Sequence, residues 1–85
     1  MTRVGHSLVG YDRATERLAE EFDVPDAVLL KAKELAGVPV DDPDAIMCYS
    51  LDASRAQALA DILAAKIDTN RRDYFLEGFA AESAK

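Results

Sequence analysis

The chain has 85 residues and a formal net charge of −6, and 49% of its residues are hydrophobic while 31% are charged. A chain of this length forms one small domain, and its composition lies far from the low hydrophobicity and high charge of disordered proteins. The composition therefore predicts a single folded domain over residues 1–85, with frayed ends at residues 1–3 and 81–85.

Cysteine usage and hydropathy indicate a cellular compartment. Cys48 is the single cysteine, so no internal disulfide can form, and small domains without disulfides are typical of reducing compartments. No apolar run approaches the ~20 residues that a transmembrane helix needs. The first twelve residues also lack the apolar stretch and cleavage pattern of a signal peptide. We therefore expect a cytoplasmic protein that makes no membrane contact.

The first quarter of the chain is compatible with a hairpin and with a helix. Two glycines in RVGHSLVGYD disfavour a helix, and YDRATE is suited to close a hairpin. In DRATERLAEEF, however, Ala14, Leu18 and Phe22 are four residues apart, as in a helix, while apolar and polar residues also alternate from Leu18, as in a strand. Periodicity therefore leaves two fold classes open. One is a small α+β domain, and the other is an all-α bundle of three to four helices.

Two helices are predicted in the middle of the chain. The first spans Ala27–Ala36, with Asp26 as its N-cap and Gly37 at its end. The second spans about Ala53–Ala65, with Asp52 as its N-cap. The inward stripe of the second helix is expected to consist of Ala56, Leu59, Ala60, Leu63 and Ile67.

The segment VDDPDAIMCYS between these helices predicts a short helical turn. Asp42 would cap this turn and Pro43 would occupy its first position. Met47, Cys48 and Tyr49 would then pack onto the core, because a lone cysteine between apolar residues usually behaves as a small hydrophobe.

The C-terminal segment RRDYFLEGFA holds three of the six aromatic residues and predicts a strand. Alternation places Tyr74, Leu76 and Gly78 on one face and Phe75, Glu77 and Phe79 on the other. A helix with Phe75 and Phe79 one turn apart is the alternative. Acidic residues interrupt the aromatic residues, so we expect them to form core rather than a platform for stacking nucleic-acid bases.

Four segments resemble, in this order, a family of small uncharacterised bacterial domains of unknown function: GYDRATERLAEEFDVPD, GVPVDDPD, CYSLDASRAQAL and DYFLEGFA. The resemblance rests on a Tyr-Asp-x-x-Thr segment, an Asp-Pro loop, a Tyr-x-Leu-x-x-x-x-Ala helix start and a terminal Asp-Tyr-Phe-Leu-Glu. It covers residues 10–80. It implies an N-terminal β-hairpin, two helices and a C-terminal strand, which favours the α+β alternative, and it implies no activity.

Acidic residues are concentrated in the first half of the chain. Between Asp12 and Asp52 there are eleven acidic and four basic residues, a net charge of −7, whereas the rest of the chain sums to +1. An anionic surface repels nucleic-acid phosphates and attracts basic proteins. We therefore expect an unidentified protein partner, of basic character, rather than nucleic acid. The expected contact residues are Glu20, Glu21, Asp23, Asp41, Asp42 and Asp44. The alternative is that these acids only cap helices and solubilise the surface.

No pattern in the sequence predicts catalysis. Cys48 and His6 are the candidates for a thiol with a neighbouring base, and nothing in their spacing brings them together. The carboxylates of DDPD lack the spacing of a calcium loop, and the chain has no glycine-rich phosphate loop and no Cys/His metal pattern. We therefore expect no catalytic residues, no cofactor and no metal.

These observations favour a non-enzymatic, acidic protein–protein interaction domain of otherwise unknown function. Such a domain would act as an accessory, a regulator or an immunity-type inhibitor of another protein. The main alternative is a small enzyme or ligand-binding domain whose pocket the sequence does not reveal. A nucleic-acid binder that uses Arg71, Arg72, Tyr74 and Phe75 is a third alternative. The sequence makes no prediction of the oligomeric state.

Overall fold

The computed structural model describes residues 2–38 and 48–82, which contain one four-stranded antiparallel sheet and two helices. The elements in chain order are β1 (Thr2–Asp12), β2 (Leu18–Asp23), α1 (Asp26–Ala36), β3 (Cys48–Leu51), α2 (Ala53–Leu63) and β4 (Arg72–Glu82). The strand order is β2-β1-β4-β3. The α+β prediction is confirmed, and the all-α alternative is wrong. Neither helix in this part of the chain is long and apolar enough to cross a membrane.

The N-terminal hairpin turns where the sequence suggested, after Asp12. The Asp12 carboxylate accepts hydrogen bonds from the backbone N–H groups of Ala14 and Thr15, at 2.8 and 3.2 Å. The Asp12 N–H donates to the carbonyl of Arg17 at 2.9 Å, and Glu16 adopts the left-handed conformation with φ 60°. An aspartate that satisfies the turn backbone in this way favours a hairpin over a continuous helix. The alternation from Leu18 onward is therefore the pattern that the fold uses.

Strand β4 occupies the centre of the sheet. It pairs with β1 from Thr2↔Glu82 to Asp12↔Arg72 and with β3 from Cys48↔Glu77 to Leu51↔Tyr74. The predicted C-terminal strand is confirmed, and the helical alternative for this segment is wrong. Of the face predicted to hold Tyr74, Leu76 and Gly78, Tyr74 and Leu76 are fully buried.

The hydrophobic core lies between one face of the sheet and the two helices. Alanines are prominent among the helical core residues, and their small size lets the helices approach the sheet closely. The core residues are Leu8, Val24, Ala32, Ala36, Leu51, Ala56, Leu59, Ala60, Tyr74 and Leu76. The strand residues of the core, Leu8, Leu51, Tyr74 and Leu76, lie on one face of the sheet. Both helices therefore pack on that face.

Helix α1 begins one residue earlier than predicted. Pro25 is the N-cap residue, with extended φ and ψ, and Asp26 is the first helical residue. The prediction that Asp26 caps this helix is therefore wrong, although a carboxylate in the first turn still interacts favourably with the helix dipole. Gly37 ends the helix as predicted, in the left-handed conformation with φ 68°.

Helix α2 has the predicted N-cap and a slightly earlier end. The Asp52 carboxylate accepts a hydrogen bond from the backbone N–H of Arg55 at 2.8 Å. The helix ends at Leu63 rather than at Ala65, because Ala64 adopts the left-handed conformation with φ 56°. Within the predicted inward stripe, Ala56, Leu59 and Ala60 are buried, and Leu63 and Ile67 are half-buried.

Strand β3 was not predicted. The helical turn expected before it, with Asp42 and Pro43, lies outside the described residues, as does Met47. Cys48 and Tyr49 are strand residues and not part of a turn. Cys48 is exposed, so the prediction that it packs in the core is wrong. The physical reason is alternation: Cys48 pairs with Glu77 on one face, while Tyr49 and Leu51 point to the helices.

Candidate functional site

One face of the sheet carries neither of the two described helices, and we call it the open face. The strand register places alternate residues there, opposite the core side chains Leu8, Leu51, Tyr74 and Leu76. The open-face residues are Ser7, Val9, Tyr11, Glu21, Asp23, Cys48, Ser50, Asp73, Phe75 and Glu77. Val9 is only 2% exposed, between its cross-strand neighbours Phe75 and Glu21. The accessible part of this face is therefore aromatic and acidic.

Glu77 is the centre of a small hydrogen-bonded group on the open face. The Tyr11 hydroxyl donates to Glu77 Oε2 at 3.0 Å, and the Cys48 thiol donates to the same oxygen at 3.5 Å. The Tyr11 ring packs edge-to-face on Phe75, with ring centroids 5.7 Å apart and an interplanar angle of 73°. Three strands therefore hold one carboxylate beside two aromatic rings.

The protonation states of this group follow from its contacts. The hydrogen bond to Glu77 is the largest cause that raises the pKa of Tyr11, followed by burial and by the charges of Glu77, Cys48 and Glu21. Partial burial of the thiol, followed by the hydrogen bond to Glu77, raises the pKa of Cys48. Both groups are therefore neutral donors near pH 7, and Glu77 is the acceptor.

A shallow cavity of about 500 Å³ opens on this face. Four of its lining residues, Tyr11, Cys48, Phe75 and Glu77, are open-face residues, and the turn after β1 also lines it. The further lining residues are Asp12, Arg13, Glu16 and Asp73. Four of these eight described residues are acidic and one is basic, so this part of the lining has a net negative formal charge.

Arg13 is fixed by the segment that precedes β4. Its Nε lies 2.8 Å from Asp73 Oδ1, and its terminal nitrogens donate to the backbone carbonyls of Asn70 and Thr69 at 3.1 and 3.0 Å. Arg13 therefore compensates Asp73 and joins the hairpin turn to the start of β4. The same guanidinium is not in contact with Glu77 or Glu16 in the described part of the chain.

The predicted contact acids divide between the two faces. Glu21 and Asp23 lie on the open face, opposite Val9 and Ser7. Glu20 lies on the helix-facing side, where its carboxylate accepts a hydrogen bond from the Tyr74 hydroxyl and lies 3.3 Å from Arg72 Nη1. The structure thus brings Glu21 and Asp23 together and separates Glu20 from them. Asp41, Asp42 and Asp44 lie outside the described residues.

The residues of the nucleic-acid alternative do not share one surface. Tyr74 is 2% exposed and faces the helices, whereas Phe75 faces the opposite side of the sheet. Arg72 pairs with Glu20, and Arg71 lies 3.9 Å from Asp68. Exposed stacking aromatics in a basic groove are therefore not formed by this set.

The two residues considered for thiol chemistry are also on opposite faces. His6 alternates with Leu8, faces the helices and is 3% exposed, whereas Cys48 is on the open face. A raised thiol pKa reduces the thiolate that acts as the nucleophile. Among the described residues, no group of three or more His, Cys, Asp or Glu side chains is placed to hold a metal ion.

The group around Glu77 was not predicted from the sequence. Glu77 and Phe75 were correctly placed together on one strand face, but Tyr11 and Cys48 could not be added without knowing that β1 and β3 flank β4. The sequence around Tyr11 and Cys48 shows only which face of its own strand each side chain occupies. The group forms because strands that are distant in sequence pair with one another.

We expect the Cys48 thiol to react with disulfide reagents only at unusually high pH for an exposed cysteine. The protonated thiol is favoured in the folded protein, so the labelling rate should rise at a pH above that of a free cysteine peptide. In Glu77→Gln the midpoint should move down towards that of the peptide, but not reach it, because burial remains. The measurement is labelling rate against pH under native conditions. Equal midpoints for the native protein and the peptide would contradict this expectation.

The chain was compared with known families, proteins and structures. A family described as a domain of unknown function, DUF7683, matches residues 6–77. This range includes the hairpin, both helices and most of β4, and it contains Tyr11, Cys48 and Glu77. Searches of curated proteins and of solved structures found no match. The chain therefore belongs to the DUF7683 family of domains of unknown function.

Proposed function

We propose that this domain is a non-enzymatic protein–protein interaction domain that binds a basic protein through its open face. The observation that carries the proposal is the composition of that face, which holds the carboxylates of Glu21, Asp23 and Glu77 together with the Tyr11 and Phe75 rings. Such a domain serves as an accessory, a regulator or an immunity-type inhibitor of its partner, and we propose that it acts in the cytoplasm.

Charge complementarity supports a basic protein as the partner of the open face. The chain has a net charge of −6, and the open-face carboxylates would repel a second copy placed face to face. The same charge would repel a phosphate backbone. A basic protein is attracted instead, and aromatic rings within an acidic rim provide both contact area and charge pairing. We also propose Asp41, Asp42 and Asp44 as contributors, because they are clustered acids in the sequence.

Two observations support a role without catalysis. Cys48 and His6 lie on opposite faces of the sheet, so they cannot act as a nucleophile and its base. The Cys48 thiol donates to Glu77 and its pKa is raised, so it is a poor nucleophile near pH 7.

Site-specific photo-crosslinking in the source cells tests the proposal. A photoreactive amino acid at Ser50 places the crosslinker on the open face, and the same residue at Lys31 places it on exposed helix α1. We expect one protein to be captured from position 50 and not from position 31. Capture from both positions, or from position 31 alone, would contradict an interface on the open face.

The captured partner, once purified, allows a kinetic test of the charges. Reversal of Glu21 and Asp23 to lysine is expected to lower the association rate about tenfold at low salt, with a smaller change in dissociation. The matched control reverses Glu34 and Asp61, which are exposed on the helices. Both variants change the net charge equally, so equal association rates would show that only the overall charge matters. Unchanged rates in both, with no salt dependence, would contradict the proposal.

A second candidate function is the binding of a small ligand, because a cavity of about 500 Å³ is within the size range of ligand sites. Native mass spectrometry of the protein purified from its source separates the candidates. A bound small molecule that is absent from Glu77→Gln would favour ligand binding. A protein complex of defined mass would favour the interaction domain.

A further inference from the structure

We propose that the open-face cavity binds an arginine side chain of the basic partner. This inference rests on the proposed function and adds the chemistry of the contact that the cavity makes. It concerns the space above Tyr11, Phe75 and Glu77, which the sequence analysis did not identify as a site.

The carboxylate of Glu77 is held in place to accept such a group. Its Oε2 already accepts hydrogen bonds from the Tyr11 hydroxyl and from the Cys48 thiol. Its Oε1 has no hydrogen-bond partner among the side chains of residues 5–38 and 48–78. Because Tyr11 and Cys48 are neutral donors, they orient the carboxylate without neutralising its charge. A cationic donor is the group that this acceptor lacks.

The described lining of the cavity carries more negative than positive charge. Within that described lining Arg13 is the basic residue, and its guanidinium is engaged by Asp73 and by backbone carbonyls of the adjacent loop. Glu16 is exposed at the rim, and Glu21 lies close enough to Tyr11 for its charge to raise the pKa of that hydroxyl. A cation that enters the cavity therefore meets the carboxylates of Glu16 and Glu77, which form no ion pair with the side chains of residues 5–38 and 48–78.

The aromatic rings favour arginine over lysine. The Tyr11 hydroxyl contacts the Glu77 carboxylate, and the Tyr11 ring packs edge-to-face on Phe75. Two aromatic rings therefore lie near this carboxylate. A guanidinium is planar, stacks on aromatic faces, and can donate a charged hydrogen bond to Glu77 Oε1 while it stacks. An ammonium group is a more strongly hydrated point charge and matches this arrangement less well. We therefore expect the cavity to bind arginine more tightly than lysine, although the two side chains carry the same charge.

An NMR titration with three blocked peptides tests the inference without knowledge of the partner. The probes are acetyl-Gly-Arg-Gly-amide, its lysine counterpart, and its citrulline counterpart, which has the shape of arginine without the charge. We expect saturable shifts at Tyr11, Phe75 and Glu77 with the arginine peptide. Its affinity should exceed that of the lysine peptide by about fivefold or more, and citrulline should give no saturable shifts.

Three variants assign the effect to the cavity. Glu77→Gln should weaken arginine binding by about tenfold, and Phe75→Leu should reduce the preference for arginine over lysine. Glu34→Gln on helix α1 removes the same charge on the other side of the protein and should leave binding unchanged. Amide spectra of each variant establish that it is folded, and a variant that does not fold is replaced by Tyr11→Phe, which frees Glu77 from one donor.

The results distinguish this inference from the function on which it rests. Equal binding of all three peptides, the absence of saturable shifts, or an equal loss in Glu34→Gln would overturn the arginine site. Crosslinking of a partner from position 50 would still support the interaction domain in that case. Selective arginine binding without any crosslinked protein would support the site and contradict the proposed function.

Discussion

Truncation after Asn70 is expected to abolish the cooperative unfolding transition. The truncation removes all of β4, which lies between β1 and β3 in the sheet. Strands β1 and β3 would then have no common neighbour, and β3 would lose its pairing partner. A hairpin and a four-residue strand do not form a stable sheet on their own in water.

The loss of side-chain burial adds to the loss of pairing. Tyr74 and Leu76 are 2% and 0% exposed, and burial of each such side chain contributes about 1.5–3 kcal/mol. Their removal also uncovers Leu8 and Leu51 on the neighbouring strands. Because native domains are stable by only about 5–15 kcal/mol, this combined loss leaves no folded state.

Circular dichroism during heating and urea titration measure this effect. The matched control ends after Glu82, retains β4 in full and should keep the transition of the parent protein. A chain that ends at Asn70 and melts cooperatively at the parent temperature would show that β4 is an appendage. Burial of Tyr74 and Leu76 would then not be needed for a stable core.

Gly10→Ala is expected to destabilise the fold by about 1–3 kcal/mol, through overpacking against a buried ring. A Cβ atom at Gly10 would lie 2.5 Å from Tyr74 Cε1 and 3.1 Å from two further ring carbons. The ring cannot move aside easily, because its hydroxyl donates to Glu20 and accepts from the Asp68 N–H at 3.0 Å. In a domain of this size, each kcal/mol lowers Tm by about 4–8 °C.

A double-mutant cycle isolates the contact between Gly10 and Tyr74. In the Tyr74→Leu background the ring is absent, so Gly10→Ala should cost clearly less free energy of unfolding than in the native background. Ser50→Ala, at an exposed strand position, serves as a near-neutral control. The same cost for Gly10→Ala in both backgrounds would show that the ring is not the obstacle.

Local patterns determined the two helices and the faces of β4. Asp52 and Gly37 delimit helices because their preferences act within a few residues of the backbone. The faces of β4 follow from alternation alone, since successive side chains in any strand point to opposite sides. For these features, the information lies within one short segment.

Tertiary structure decided what local patterns left ambiguous. The segment from Leu18 to Phe22 fits a helix and a strand equally well by spacing, and pairing with β1 selects the strand. The cysteine at the start of β3 looks apolar in its segment, yet the pairing Cys48↔Glu77 turns its side chain away from the helices. Local spacing carries no information about which strands become neighbours.

The candidate site also results from the pairing of strands that are distant in sequence. Tyr11, Cys48 and Glu77 are separated by 37 and 29 positions in the chain, and β1, β3 and β4 bring them onto one carboxylate oxygen. Their separation in sequence is large, whereas hydrogen bonds and ring contacts act over a few ångströms. The sequence by itself therefore determined an acidic small domain with two central helices, one that ends at Gly37 and one that Asp52 caps. Only the folded sheet decided which acids share its open face and which acid, Glu20, is held by Tyr74 and Arg72 on the other side.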